Sequence, residues 1–510
     1  MKEYLLGIDV GTSSLKTLVT DTDMSVSASA SAPYRSVRPD PVSAQIDADS
    51  MWQALLKCVR TLRDRGGIDL SRVRAAGIST LCPGLTALGP DNEVLVDPII
   101  YSDRRSVREA EEIRETIGED RLFALTANGS MAGAFSGSSL LWIRRHLPER
   151  YRQAKVFGHL NTLLTAKMTG SCVTDLSNAS YTNLFETSGS RTWSEEICRA
   201  LDVDMRKLPE LREASDRAGL LRCAELEELG IPRGIPVAVG GADTPCAALA
   251  AGVVHAGDAC ESAGTTDVLT ICVDKPLFDR RFINRCHVVP GTWIYQGAMS
   301  YTGASVEWFL DTLCAELSEN AKSRREAFEK MNREASLAEP GCGGVVFLPY
   351  MQGERSPVWD PDARGVFFGL SLQTGRNEMN RAVLEACGYG LRQLMEIAGG
   401  LTGLKWDSIV SVGGGSGSDV WSQIKADILE KRIISLEKAD MAAVGAALLG
   451  GTAAGIYKDV YEASSAVKRN VRKEFAPDPG NAGIYRKQYG VYTSLYPALK
   501  ETFRNAAAAE

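Results

Sequence analysis

One short pattern occurs twice in this chain, about half its length apart, and that repetition limits the folds open to it. The first copy reads Tyr4-Leu5-Leu6-Gly7-Ile8-Asp9-Val10-Gly11-Thr12-Ser13-Ser14-Leu15-Lys16-Thr17-Leu18-Val19-Thr20-Asp21. The second reads Ala259-Cys260-Glu261-Ser262-Ala263-Gly264-Thr265-Thr266-Asp267-Val268-Leu269-Thr270-Ile271-Cys272-Val273-Asp274. Each is an apolar or small run, a glycine with hydroxyl residues, a β-branched run and a closing Asp. This predicts a β-hairpin whose tip has little side chain. Backbone N–H groups at such a tip can approach an anion, because Gly11 carries no Cβ and Thr12, Ser13 and Ser14 add hydroxyl donors. Asp9 stands just before the first turn. A carboxylate beside a phosphate cradle suits a divalent metal, since the two anions otherwise repel each other. A single copy fits an ordinary hairpin with a polar turn equally well. Two copies, one in each half, predict a duplicated fold with a nucleotide clamped between the halves.

The 510 residues exceed what one core organises, so two domains are expected. A net charge of −7 and the lack of a basic stripe argue against a nucleic-acid partner. The twelve cysteines include no C-x-x-C pair, which speaks against zinc or redox chemistry. Cys246, Cys272 and Cys387 lie in apolar company and read as buried small hydrophobes. The N-terminus enters a strand without a basic n-region, and no apolar run is long enough to span a bilayer. A reduced, cytoplasmic protein with no membrane partner is expected.

Strands and helices alternate, which makes the chain α/β. A third strand is expected from Met24 to Ala32, then a helix from Met51 to Arg65 capped by Asp49 or Ser50. The buried strand Val73 to Thr80 leads into Leu81-Cys82-Pro83-Gly84. Pro98 to Tyr101 leads into Ser102-Asp103-Arg104-Arg105, followed by a helix from Ser106 to Ile117. Loops at strand ends carry the chemistry of α/β folds. The 103–105 cluster reads either as a helix-capping charge run or as a hydroxyl-recognition site. The run Pro236 to Val239 opens onto Gly240-Gly241-Ala242-Asp243 and an Ala-rich helix. Asp243 thus stands where a strand ends and a helix begins, with a capping role as the alternative.

Further helices are expected over Phe157–Lys167, Trp193–Leu201, Asn380–Ile397 and Ala442–Gly451. Gly303-Ala304-Ser305 opens another, and Leu310 to Glu339 reads as one charged helical stretch. Ala507 to Glu510 reads as a frayed tail. The strand Ile409 to Val412 runs into Gly413-Gly414-Gly415-Ser416-Gly417-Ser418 and a helix from Val420 to Leu429. A Gly-rich loop at a helix N-terminus suits a phosphate, or a base laid flat on backbone. The glycine spacing does not fit G-x-G-x-x-G, and the pair Gly-Lys of a Walker A loop never occurs.

Six stretches in order resemble the FGGY carbohydrate kinases, and among them the pentulose kinases. They are Gly7–Ser13, Gly240–Asp243, Ser262–Thr266, Gly353-Glu354-Arg355-Ser356-Pro357, Arg364–Leu370 and Gly413–Ser416. The resemblance implies an actin-like fold of two ribonuclease H-like domains, 1–245 and 246–510, closing on a cleft. It implies an ATP-dependent sugar kinase that uses Mg²⁺, with Asp243 as catalytic base and Asp9 near the metal. Gly11, Thr12, Ser13, Gly264, Thr265 and Thr266 match phosphate contacts, Gly414, Gly415 and Ser418 match adenosine contacts, and Lys16 and Gly303 are expected to join them in binding ATP. Leu81, Cys82, Tyr101, Asp103 and Arg104 join Asp243 as expected sugar-site residues. A homodimer is compatible with this reading. The rival from another class is an actin-like ATP-dependent switch with no sugar acceptor.

Three positions depart from the family pattern. Pentulose kinases carry Gln-Met-His-Gly where this chain has Leu81-Cys82-Pro83-Gly84, so the sugar-holding histidine is replaced by Pro83. The family's Trp before the Asp is Tyr101, and its usual Pro-Lys pair is Ser138-Ser139. The first two fall on the expected sugar site and leave the phosphate loops intact.

Overall fold

The computed structural model describes residues 2–437 and 440–508. The two hairpin motifs form the centres of two separate sheets. In the first, the strand Tyr4–Val10 pairs antiparallel with Ser14–Asp21 and parallel with Val73–Thr80. Val26–Pro33 extends the sheet on one side, and Pro236–Ala238 with Arg217–Leu220 on the other. In the second, Ala259–Ala263 pairs antiparallel with Asp267–Val273 and parallel with Ser408–Val412. Trp293–Met299 and Ile283–Cys286 extend it on the hairpin side, and Arg432–Leu436 with Val471–Phe475 on the other. The pairing around each hairpin is therefore the same. The central strand Tyr4–Val10 is buried over most of its length, which explains its near-continuous apolar sequence, whereas Ala259–Ala263 carries Glu261 and Ser262.

Helix Met441–Ala453, from the second half, lies against Tyr4–Val10 and Val73–Thr80 of the first sheet and against helix Asp243–Ala251. Its composition of Ala, Gly and Leu follows from how close it comes. A Cβ on Gly77 would fall 1.8 Å from the Ala446 carbonyl oxygen, and one on Gly445 would fall 2.0 Å from that of Cys246. No larger residue fits either position.

The first half carries an added five-stranded sheet, ordered Ser36–Val37, Gln45–Ile46, Val94–Ile100, Gly84–Leu88, Val156–Gly158. Its own core of Leu85, Ile99, Ile113, Leu140 and Phe157 is separate from that of the first sheet. This layer meets the edge strand Ile283–Cys286 of the second sheet. Asn128 Nδ2 donates to the Asn284 carbonyl at 2.7 Å, the Asn284 N–H donates to Asn128 Oδ1 at 3.0 Å, and Asn284 Nδ2 donates to the Ala127 carbonyl at 2.8 Å. The Cys286 N–H donates to Ser180 Oγ at 3.1 Å.

Several element boundaries differ from expectation. The first helix spans Ala48–Asp64 and is capped by Asp47, whose side chain accepts from the Ser50 N–H at 2.8 Å. The stretch expected as helix from Phe157 begins as the strand Val156–Gly158, which pairs with Leu88, and the helix is Leu160–Thr169. The stretch expected as one helix from 310 to 339 is broken into Thr302–Leu313, Ala315–Glu319 and Arg324–Ala335. Ser323 caps the last of these through the Glu326 N–H, which fixes a new start rather than a continuation. Ala507 ends the helix Ala482–Ala507, and Ala509 and Glu510 lie outside the described residues. No helix among the described residues is long and apolar enough to cross a membrane.

Candidate active site

The tips of both hairpins are short unpaired turns. The Gly11 N–H bonds the Ser14 carbonyl at 3.1 Å, and the Gly264 N–H bonds the Thr266 carbonyl at 3.2 Å. Each turn leaves Thr12 and Ser13, or Thr265 and Thr266, outside the ladder. Gly303 opens the helix Thr302–Leu313 directly beneath the second tip, where a Cβ would fall 1.9 Å from the Gly264 carbonyl oxygen. The Ala304 N–H donates to the Thr265 carbonyl at 3.0 Å, which fixes that tip to the helix start.

The Gly-rich loop lies against this hairpin. A Cβ on Gly413 would fall 2.5 Å from the Ala263 carbonyl oxygen, and Gly413 holds φ of +94°. Gly415 packs on Trp421 and Ala263, whereas a Cβ on Gly414 would meet nothing within 4 Å. Gly414 thus presents bare backbone to open space. Ser418 caps helix Asp419–Leu429 by accepting from the Trp421 N–H at 3.2 Å.

Asp9 is the penultimate residue of its strand and accepts from Ser79 Oγ at 2.8 Å. Burial, with Asp243 close by, pushes its carboxyl up to about 7. Lys16 lies opposite Asp9 in the hairpin register, and its ammonium pairs with Asp440 at 2.7 Å. Asp243 is the first residue of helix Asp243–Ala251, so Ala242 takes the cap position that the sequence left open for the Asp. The Thr244 N–H and Oγ1 both approach Asp243 Oδ1, at 2.7 and 3.3 Å. Among the described residues no side chain donates to Oδ2. Burial raises the Asp243 carboxyl above the usual range, and the Arg285 guanidinium opposes that rise.

The expected sugar-site residues separate into two groups. Leu81 is buried and its N–H bonds the Val10 carbonyl at 2.8 Å. This sets Cys82 beside the first hairpin, with its thiol 3.8 Å from His159 Nδ1. The Tyr101 hydroxyl lies 3.2 Å from Thr12 Oγ1. Asp103 departs from expectation. It is fully buried, and both its oxygens are taken, by the Ala44 N–H at 2.6 Å, the Arg105 N–H at 2.9 Å and Arg105 Nε at 2.8 Å. Arg104 Nη1 is spent on the carbonyls of Tyr101, Asp103 and Ala132. These two residues build the loop that presents Tyr101. Nor does Asp103 cap the following helix, whose cap position is Ser106.

Residues that the sequence did not single out complete the far wall. Arg285, on the edge strand of the second sheet, is 1% exposed. Its Nη2 donates to the Ser177 carbonyl at 2.9 Å, and its guanidinium lies 4.0 Å from the centre of the Tyr181 ring. The Tyr181 hydroxyl donates to Gln296 Oε1 at 3.1 Å. Ser177 Oγ accepts from the Ala242 N–H at 3.0 Å, tying this wall to the residue before Asp243. Burial lowers the His159 imidazole to about 4, so it stays neutral. The single signal for Arg285 is a charged residue inside an otherwise buried strand.

The first hairpin, with Asp9 and Asp243 close together, and the second, with the bare-backbone loop against it, thus stand at the centres of two like sheets. The N-terminal domain model of the FGGY family of carbohydrate kinases matches residues 4–250, and the C-terminal domain model matches 259–454. The chain belongs to the FGGY family of carbohydrate kinases. It is 31% identical to the xylulose kinase of Escherichia coli (strain K12), over 97% of this chain and 99% of that protein. It is 29% identical to that of Lactococcus lactis, over 98% and 97%. The crystal structure of xylulose kinase from Rhodospirillum rubrum superposes with a TM-score of 0.89 at 26% identity, covering 98% of this chain and all of that one. The fold is accordingly the two-domain, actin-like α/β architecture of this family, and the activity is that of an ATP-dependent sugar kinase.

Proposed function

We propose that this FGGY kinase transfers the γ-phosphoryl group of ATP to a hydroxyl of a small ketose, a pentulose such as xylulose or ribulose, or of a polyol. The observation that carries the mechanism is Asp243, a partly buried carboxylate at a helix start with one oxygen held by Thr244 and, among the described residues, no side chain donating to the other. Asp243 aligns the acceptor hydroxyl and takes its proton as the oxygen bonds to the γ-phosphorus. The bond from that phosphorus to the β,γ-bridging oxygen breaks, and ADP leaves. A carboxylate is a weak base toward an alcohol, but it suffices where the transition state is loose and the proton departs late.

N–H groups at Gly11–Ser13 and Gly264–Thr266 meet charge that spreads over the phosphoryl oxygens. Lys16 adds a cation on the first hairpin. Gly414, Gly415 and Ser418 bear the adenosine, and Leu81, Cys82 and Tyr101 face the sugar. The acid pair supports a metal: Asp9 and Asp243 lie close, and Lys16, the neighbouring cation, is already paired with Asp440. Hard oxygen donors in that setting fit Mg²⁺, which when bound through Asp9 and water would neutralise phosphate charge. Residues 1–245 then form the sugar side and 246–510 the adenosine side, with Arg285 and Gln296 crossing to the sugar wall. Neither a membrane nor a nucleic acid enters the reading, in keeping with the net charge of −7.

The sugar-free switch is not favoured, because the relatives and both domain models are carbohydrate kinases. ADP release measured with Mg²⁺–ATP across ketopentoses, ketohexoses and tetritols tests the proposal. Strong stimulation by one of them is expected, and an ATPase rate indifferent to every sugar refutes it.

A further inference from the structure

Beneath the second hairpin lies a buried charge cluster that phosphoryl transfer does not use. Glu261 and Asp267 flank the tip Gly264–Thr266, one on each strand, and both are 0% exposed. Between them stands the ammonium of Lys425, on helix Asp419–Leu429, which starts at Ser418 of the Gly-rich loop. Lys425 Nζ donates to Glu261 Oε1 and, at 3.3 Å, to Asp267 Oδ2. The Cys387 thiol also donates to Asp267 Oδ2, at 2.9 Å. Glu261, Asp267 and Cys387 lie close enough to hold a metal ion, but the lysine ammonium bonds both carboxylates there.

Two further contacts run from Lys425 toward the Gly-rich loop. Its ammonium lies 4.2 Å from the centre of the Trp421 ring, and that ring underlies Gly415, where a Cβ would fall 2.7 Å away. Among the described residues none bonds Glu261 Oε2 or Asp267 Oδ1. Buried carboxylates are costly unless a cation compensates them, so the two acids stay at the hairpin base because Lys425 does. The strands of the phosphate hairpin and the helix of the adenosine loop are thereby held by one side chain.

We propose that Lys425 is a positioning residue for the nucleotide. It sets the spacing between the adenosine loop and the Gly264–Thr266 tip, so that the triphosphate end reaches the tip when the adenosine is seated. This rests on the kinase reading above. A displaced tip costs only those ligands that reach it, so ATP suffers and AMP does not.

The test uses the full chain with Lys425→Met, and calorimetric binding of ATP and of AMP beside steady-state kinetics. The expected result is a loss of about 10–100-fold in kcat/KM for ATP, with AMP affinity and sugar KM near wild type. Because Lys425→Met strands two buried carboxylates, the triple variant Lys425→Met, Glu261→Gln, Asp267→Asn is made alongside. It removes the stranded charge without restoring the tether, so it regains thermal stability and keeps the ATP defect. Equal losses for ATP and AMP, or recovery of ATP use in the triple variant, overturn the proposal. If the wild-type protein phosphorylates no sugar while Lys425→Met still weakens ATP binding more than AMP binding, the kinase reading is refuted and this one is spared.

Discussion

Lys16 Nζ stands 2.7 Å from Asp440 Oδ1 across 424 residues of sequence, so one ion pair joins the first hairpin to the helix Met441–Ala453. Both side chains are about two-fifths exposed, 41% and 39%, and such pairs contribute little to stability. The cation can therefore exchange a carboxylate for a phosphate at small cost. Lys16→Met is expected to raise KM for ATP about tenfold, the worth of a charged hydrogen bond, with Tm nearly unchanged. Asp440→Asn should leave KM for ATP equal or lower. Initial-rate kinetics on both variants check this.

Asp243→Asn removes the base while keeping shape and the contact to Thr244. Turnover is expected to fall by ~10²–10⁴, with ATP affinity measured by calorimetry close to wild type. Near-normal kcat in this variant refutes the assignment.

Asp9 makes stability depend on pH in a definite direction. Its carboxyl titrates at about 7 in the folded protein, and near pH ~4 in an unfolded chain. Between those values the folded state holds a proton that the unfolded state has released, so stability from this group falls as pH rises. The penalty is absent below about pH 4 and complete above about pH 7. Asp9→Asn, which cannot ionise, should gain Tm over wild type across that window and hold a constant gap above it. Calorimetric scans at pH 5, 6, 7 and 8 measure the gap.

Gly77→Ala places a methyl group against backbone rather than a movable side chain. The strand and helix must part to admit it, and overpacking of this kind costs ~1–3 kcal/mol or more. A lowered urea midpoint is expected. An unchanged one means that the helix Met441–Ala453 does not pack as described.

Asp103→Ala should act through the loop. With the Ala44 and Arg105 N–H groups left without their acceptor, Tm falls and sugar KM rises, while KM for ATP holds. A rise in sugar KM without loss of Tm would instead mean that Asp103 meets the sugar directly.

The sheets were legible because the hairpins announce themselves locally. Gly11 and Gly264 end apolar runs, β-branched residues follow, and nothing distant is needed to see the turn. The place of Asp243 at a helix start was legible for a similar reason, since a strand, a glycine pair and an Ala-rich helix bracket it. Asp103 misled because an acid beside two arginines looks exposed in sequence. Its burial depends on Ala44, 59 residues away. Arg285 and Lys425 carry no local sign beyond a charge set among apolar neighbours. Each is a cation inside a buried element, and its partners, Ser177 for one and Glu261 for the other, come from 108 and 164 residues away. Cys387 looked like a plain apolar filler, and only the fold sets its thiol against Asp267.

The stitch between Asn128 and Asn284 has a mechanical corollary. The helix Met441–Ala453, seated on the first sheet, is a second fastening at another place. Halves held at two separate seams cannot drift apart, and they can turn against each other only as far as both seams allow.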